Sequence, residues 1–434
     1  MTKPRAILVG LLSLTVASPA ARAERLVSAF DPRLHVRPPT MRALDGTGTS
    51  TELVLDEDFL QQAERHGARN ARTLAAPGEV GTLGEVIIIQ GDVRDDLNPR
   101  GILVSNGSGW GLARDALVQL ARKVIDFKGD HFQAITVWLT FDDKASTAAE
   151  AYESPVKNEV EGLGRLPVMD NSNVYGSQGV LRSILNMKTV GLRAGDTLDS
   201  WRPHLETWGQ ESAHRWMVFM SVRDPRTDRP SDLLLGRQCS HYGRYVDTQA
   251  SVHDGYAWTD NGDGTFSWTE SSKRYGNLDL YGMGLMAADE VPPFFLIDNV
   301  PGYTYPTSCQ SYQFSFRHPP QTIRGERVDL TIDDIIVANG ERKVPTDERQ
   351  DYWREALVIL TAPTENAETA RVQMLAARLE KGRQYWEEWN REASRNRLVM
   401  CTQVSEDCGD PRSDAPEILD QGQPQHDGDG PQFA

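Results

Sequence analysis

Short, wholly apolar runs separated by amphipathic stretches are the clearest pattern along this chain. Val86-Ile87-Ile88-Ile89, inside Glu85 to Gln90, has the length and β-branching of a strand buried on both faces. Leu112, Leu117, Leu120, Ala121, Val124 and Ile125 then fall on one helical face, and Gly129 ends that helix. Ile135 to Phe141, ITVWLTF, predicts a second buried strand. Helix followed by strand implies a layered α/β or α+β body. Further on, Glu206 to Met220, ETWGQESAHRWMVFM, alternates large apolar and polar residues as a helix does. Val328 to Val337 begins as an alternating strand, and Tyr352 to Leu360 is another apolar segment. Thr364 to Asn396 predicts a long amphipathic helix, capped by Thr364, with Val372, Leu375, Leu379, Trp386 and Trp389 as its apolar stripe.

The segments between these runs are punctuated by turn chemistry. Asn98 to Trp110 holds Asn-Pro, Asn-Gly and Ser-Gly. Tyr152 to Asn186 reads as an irregular connection, its glycines marking bends and not a phosphate loop. Pro225 to Pro230 is a charged turn. Asp260-Asn261-Gly262-Asp263-Gly264-Thr265 is a hairpin turn that resembles the start of a calcium loop but lacks the terminal Glu. Gly282 and Gly284 around Met283 suit a tight turn, or a Met filling a core gap.

Outside the periodic region the composition changes. Met1 to Ala23 has a charged start, an apolar stretch from Ala6 to Val16 and a small-x-small end at Ala21-Arg22-Ala23, the form of a secretory signal. Residues 24–80 read as an extended N-terminal segment, with weak helical character over Thr51 to Ala75. Residues 401–434 form an acidic, polar tail expected to be disordered. A secreted or periplasmic protein with one domain over residues 81–400 is the resulting expectation. No apolar stretch is long enough for a membrane anchor. Net charge is −16, with both signs mixed along most of the chain, so a nucleic-acid partner is not expected. The four cysteines permit disulfides; Cys401 and Cys408 can close a small loop, leaving Cys239 for Cys309, although spacing alone does not determine the pairing.

Candidate chemistry concentrates in Glu206 to Met220. On a helix, Gln210 and His214 lie one turn apart with Glu211 beside them. This is the layout of His-Glu-x-x-His, in which two imidazoles hold zinc and the Glu takes a proton from water, with Gln210 at the first ligand position. A neutral amide oxygen is a weaker donor than an imidazole nitrogen. His241 is the best candidate for a further ligand, and His253 competes for that place.

The series QESAHRW, CSHYGRYVDTQASVHDGYAW, DNGDGTF, RYGNLDLYGMGL and EVPPFF, with VDLTIDDIIVANGERKVP and RQYWEEWNREA later, resembles a group of exported bacterial zinc-metallopeptidase-like proteins. The resemblance covers about Ala151 to Met400. It implies an α+β, metzincin-like metallopeptidase fold: a mixed sheet, an active-site helix and a long C-terminal helix. It implies zinc as cofactor and a protein or peptide as substrate, with His214, His241 and the Gln210 position as metal ligands. Glu211 becomes the general base, Met283 a residue beneath the metal, and Tyr281 a group available to an oxyanion. Two departures stand out: Gln210 replaces the group's first ligand His, and Tyr242 replaces its Trp. An inactive, peptidase-like binding or scaffold protein is the alternative that Gln210 raises.

Overall fold

The computed structural model describes residues 78–405 and 408, apart from 106–108, 144–148, 270–272, 304–318, 345–349 and 406–407. The expected signal segment, the 51–75 helix and nearly all of the acidic tail lie outside the described residues. The main sheet is built from β1 (Val80–Leu83), β2 (Val86–Gln90), β3 (Ala134–Leu139), β4 (Tyr152–Pro155), β5 (Ser183–Lys188), β6 (Tyr352–Thr361) and β7 (Val399–Cys401). Its order is β1-β2-β6-β3-β5-β4, with β7 also paired to β6. The central pairings are parallel, while β1 and β4 join antiparallel at the two edges. The fold is α+β with a mixed sheet.

Side-chain alternation along the strands separates two cores. Val86, Ile88, Trp138, Leu185, Leu357 and Ile359 face one core; Ile87, Ile89, Ile135, Val137, Ile184, Val358 and Leu360 face the other. Helix α1 (Ala116–Lys128) covers the second face through Leu120, Ala121 and Val124. Helices α2 (Leu198–Ala213) and α5 (Ala370–Ala393) pack on the first. This two-sided cover explains why the strands read as unbroken apolar runs. A third, smaller core gathers Trp258, Phe266, Phe295 and Ile323 around a three-stranded sheet whose first hairpin turns at 261–264, where turn chemistry was expected.

Several boundaries differ from expectation. Helix α2 starts eight residues before Glu206 and ends at Ala213, leaving His214 as its C-terminal cap. Thr197 starts it by accepting the Ser200 N–H on its side chain. The run Trp216-Met217-Val218 beyond it is buried on all sides and crosses the core as irregular chain, so its apolar character is not that of an amphipathic helix. The segment 152–186 is not merely irregular: it opens with edge strand β4 and leads into β5, next to the centre of the sheet. The 328–337 stretch splits at Thr331, whose N–H and hydroxyl meet the Asp334 carboxylate and start helix α4 (Ile332–Asn339). Helix α5 is capped by Thr369, not Thr364. Gly282 and Met283 close helix α3 (Asn277–Met283) and do not stand in a free turn; Gly284, at φ 77°, then takes the left-handed position that ends a helix. The folded body also runs past both expected limits, since β1 opens at Val80 and Cys401, in β7, is disulfide-bonded to Cys408. Cys239 is disulfide-bonded too; its expected partner, Cys309, lies outside the described residues.

The packing of α2 on α5 sets the position of the candidate site. Each helix carries a glycine where an indole of the other fits. A Cβ on Gly209 would lie 2.2 Å from Trp389, and one on Gly382 would lie 2.2 Å from Trp201. A mid-helix glycine costs roughly 0.5–1 kcal/mol relative to alanine, and here it admits a ring that alanine would exclude. Trp208 stacks on Trp386 at 4.3 Å, Trp386 on Trp389 at 5.4 Å, and Trp138 meets Trp208 edge-on at 4.7 Å. Glu355 of β6 lies in this stack, fully buried, accepting the Trp208 indole N–H at 3.0 Å and the Trp386 indole N–H at 2.8 Å, with Thr136 as a third partner.

Candidate metal centre

Three segments deliver the functional side chains. The end of α2 brings Gln210, Glu211 and His214. The segment after residue 235 brings His241, and the next loop brings His253 back beside it, because the Tyr242 N–H donates to the His253 carbonyl at 2.8 Å. Both segments are strained: Gln238, Cys239, Gln249, Ala250 and Asp254 all have φ between 57° and 73°, a left-handed region that costs non-glycine residues about 1–3 kcal/mol each. The tertiary hydrogen bonds hold these residues there.

The result is a cluster of imidazoles. Ligand nitrogens of His214, His241 and His253 lie within 4.8 Å of one another. Ring centroids are 4.5 Å apart for His214 and His253, 4.9 Å for His214 and His241, and 6.0 Å for His241 and His253. His241 and His253 are buried, and His214 remains partly open to solvent although protein surrounds it densely. Burial pushes the His214 pKa down to about 3, with Arg237 adding to the effect and the Met217 carbonyl opposing it. Burial first, then neighbouring positive charge, holds His241 and His253 well below the usual histidine range. All three rings are therefore neutral, the form that binds metal.

The surroundings of the rings bear on what they can hold. The His241 Nδ1 lies 3.2 Å from the Arg237 carbonyl, an acceptor, so Nδ1 carries the hydrogen and Nε2 keeps its lone pair. That lone pair faces the Gln210 amide nitrogen at 3.3 Å. Neither ring nitrogen of His253 has a hydrogen-bond partner, although the residue is fully buried and the Ala213 carbonyl lies near. An unpaired buried imidazole nitrogen costs on the order of 1–3 kcal/mol. Coordination of a cation removes that cost, so the donor set fits a zinc or similar ion.

Glu211 lies buried beside the cluster, its Oε1 at 3.4 Å from the Gln210 amide nitrogen. Burial raises its pKa to about 7, with Arg237 pulling down and Glu150 pushing up. A base that titrates near neutrality is matched to proton transfer. Two groups in this neighbourhood were not singled out from sequence. Arg237, held by Asp254 at 2.8 Å, is the positive charge that acts on Glu211 and on all three imidazoles. Glu153, on edge strand β4, is desolvated up to about 8 and interacts with both Arg215 and Glu211. Neither belongs to a motif, so no local signal marks them.

The structure thus brings Gln210, Glu211, His214 and His241 together and adds His253. Tyr281 is buried on α3 with the Arg342 backbone N–H against its hydroxyl. Met283 lies in the core that also holds Ala213 and Tyr242. Among the described residues, no hydrogen bond or ring contact joins Tyr281 or Met283 to the imidazoles. The Asp260–Thr265 turn is a surface hairpin in which Asp260 Oδ1 accepts the Gly262 N–H and Asp263 Oδ1 accepts the Thr265 N–H. No helix of the described residues is long and apolar enough to cross a membrane. No family model, curated protein or solved structure matches the chain.

Proposed function

We propose that this is an exported zinc-metallopeptidase-like hydrolase of metzincin-like fold that acts on a protein or peptide substrate. The observation that carries the reading is the convergence of the His214, His241 and His253 nitrogens beside Glu211. His214, His241 and His253 hold the ion in this reading, and Gln210 stands next to them as a neutral neighbour. A bound zinc supplies Lewis acidity, polarising the peptide carbonyl and making water a competent nucleophile at neutral pH. Glu211 takes the proton from the attacking water and returns it to the leaving amine. Arg237, whose positive charge acts on Glu211 and on all three imidazoles, favours the negative charge that develops on the carbonyl oxygen. Edge strand β4, antiparallel to β5, carries Glu153, which interacts with Glu211, and in this reading an extended peptide lies along that sheet edge.

A second reading, an inactive peptidase-like binding or scaffold protein, is favoured by one contact: the Gln210 amide donates to the very lone pair of His241 that an ion would use. Elemental analysis of the purified protein, with His214→Ala, His253→Ala and Glu211→Gln variants, separates the two. The peptidase reading expects about one zinc per chain, lost in both histidine variants, and peptide hydrolysis abolished in Glu211→Gln with the zinc retained. Zinc without hydrolysis supports the second reading, and no zinc in the natural protein sinks the first.

A further inference from the structure

Asp279 belongs to the RYGNLDLYGMGL segment, yet the reading above gives it no task. It is a fully buried carboxylate on α3, and it reaches both histidine-bearing segments. Its Oδ2 accepts the Gly276 N–H at 2.7 Å, which fixes it to the start of its own helix. The Ser251 hydroxyl lies against the same carboxylate, and that hydroxyl oxygen accepts the His253 backbone N–H at 3.0 Å. On its other side, Asp279 lines a cavity of about 10 Å³ together with Tyr242, Asp247, Thr248, Asn277 and Phe294.

The Tyr242 hydroxyl reaches the same carboxylate from the cavity side. Asp279 thus stands between two hydroxyls, one on each histidine-bearing segment: that of Tyr242, next to His241, and that of Ser251, two residues before His253.

We propose that Asp279 is the positioning residue of the histidine cluster: through the Tyr242 hydroxyl it sets the adjoining His241, and through Ser251 it sets His253. The proposal deepens the metal-centre reading and rests on it for its functional consequence. Helix α3 becomes the part that holds two imidazoles at a common point while α2 supplies the third.

The test is cobalt(II) titration of the full chain, read by its visible absorption, together with a crystal structure of the natural protein. Asp279→Asn and Tyr242→Phe are compared with Ile359→Val, a sheet-core change that lowers stability away from the site. The expected result is a dissociation constant raised about 10- to 100-fold in Asp279→Asn, the range for groups that orient ligands. Tyr242→Phe should give a smaller rise and Ile359→Val no change. The crystal structure should show the Tyr242 and Ser251 hydroxyls both within hydrogen-bond distance of the Asp279 carboxylate. Equal cobalt affinity in Asp279→Asn and the natural protein overturns the proposal, as does a crystal structure in which the Tyr242 hydroxyl does not reach the Asp279 carboxylate. If the natural protein binds no cobalt, the metal-centre reading fails separately. The positioning role is then decided by whether the His241 and His253 rings move in crystals of Asp279→Asn; unmoved rings overturn it.

Discussion

Replacing Glu355 with Gln tests how the core behind the candidate centre is held. Glu355 accepts hydrogen bonds from three neighbours, an arrangement that favours the carboxylate, while complete burial favours the neutral acid. Burial wins: the pKa rises from 4.5 to about 7, the Thr136, Trp386 and Trp208 contacts only partly offsetting it. A proton bound more tightly in the folded state stabilises the fold fully below about pH 4.5. That contribution declines as pH rises and is gone above about pH 7. At 1.36 kcal/mol per unit the loss is about 3 kcal/mol, as an order of magnitude. Glutamine is neutral throughout, so the Glu355→Gln variant lacks this dependence. It suffers a constant penalty of roughly 1–3 kcal/mol if its NH₂ group leaves one indole N–H unpaired. Urea unfolding at pH 5 and pH 8, followed by tryptophan fluorescence and circular dichroism, gives the stability gap between the two proteins. Taking the difference cancels the other titrating groups. The variant should gain roughly 2–3 kcal/mol on the natural protein between pH 5 and pH 8. A flat gap, or one that moves the other way, would show that the three donors hold a carboxylate and would refute the argument.

Three further outcomes are expected. Gly209→Ala places a methyl 2.2 Å from Trp389 and should destabilise the fold by about 1–3 kcal/mol despite alanine's better helix propensity, measured as a lower urea midpoint. Breaking the Cys401–Cys408 link with Cys408→Ser should cost roughly 2 kcal/mol, because the closed loop is short, read as a lower urea midpoint under non-reducing conditions. Gln210→His removes the amide from the His241 lone pair and should tighten zinc binding in competition with a chromogenic chelator while stoichiometry stays at one; weaker binding would show that Gln210 supports the centre.

Local pattern was enough for the elements whose burial is simple. Val86–Gln90, Ala134–Leu139 and Tyr352–Thr361 read as doubly buried strands because both of their faces meet apolar layers, and the stripe on α5 is buried as its spacing predicts. The Gln210-Glu211 and His214 spacing was also legible, since four residues on a helix define one face without reference to anything distant. What the chain could not show is where helix α2 ends, because the apolar run after His214 is core-spanning coil whose partners are remote in sequence. The choice between His241 and His253 was open for the same reason. Tertiary structure dissolves the choice: the Tyr242–His253 backbone bond puts both rings against His214, and the strain at 238–254 is tolerable only with that network in place. Glu153, Arg237, Asp279 and Glu355 owe their chemistry to burial and to neighbours from other elements. A residue's type and spacing are properties of the sequence. Its desolvation, its charge partners and the group it orients exist only once the layers have packed.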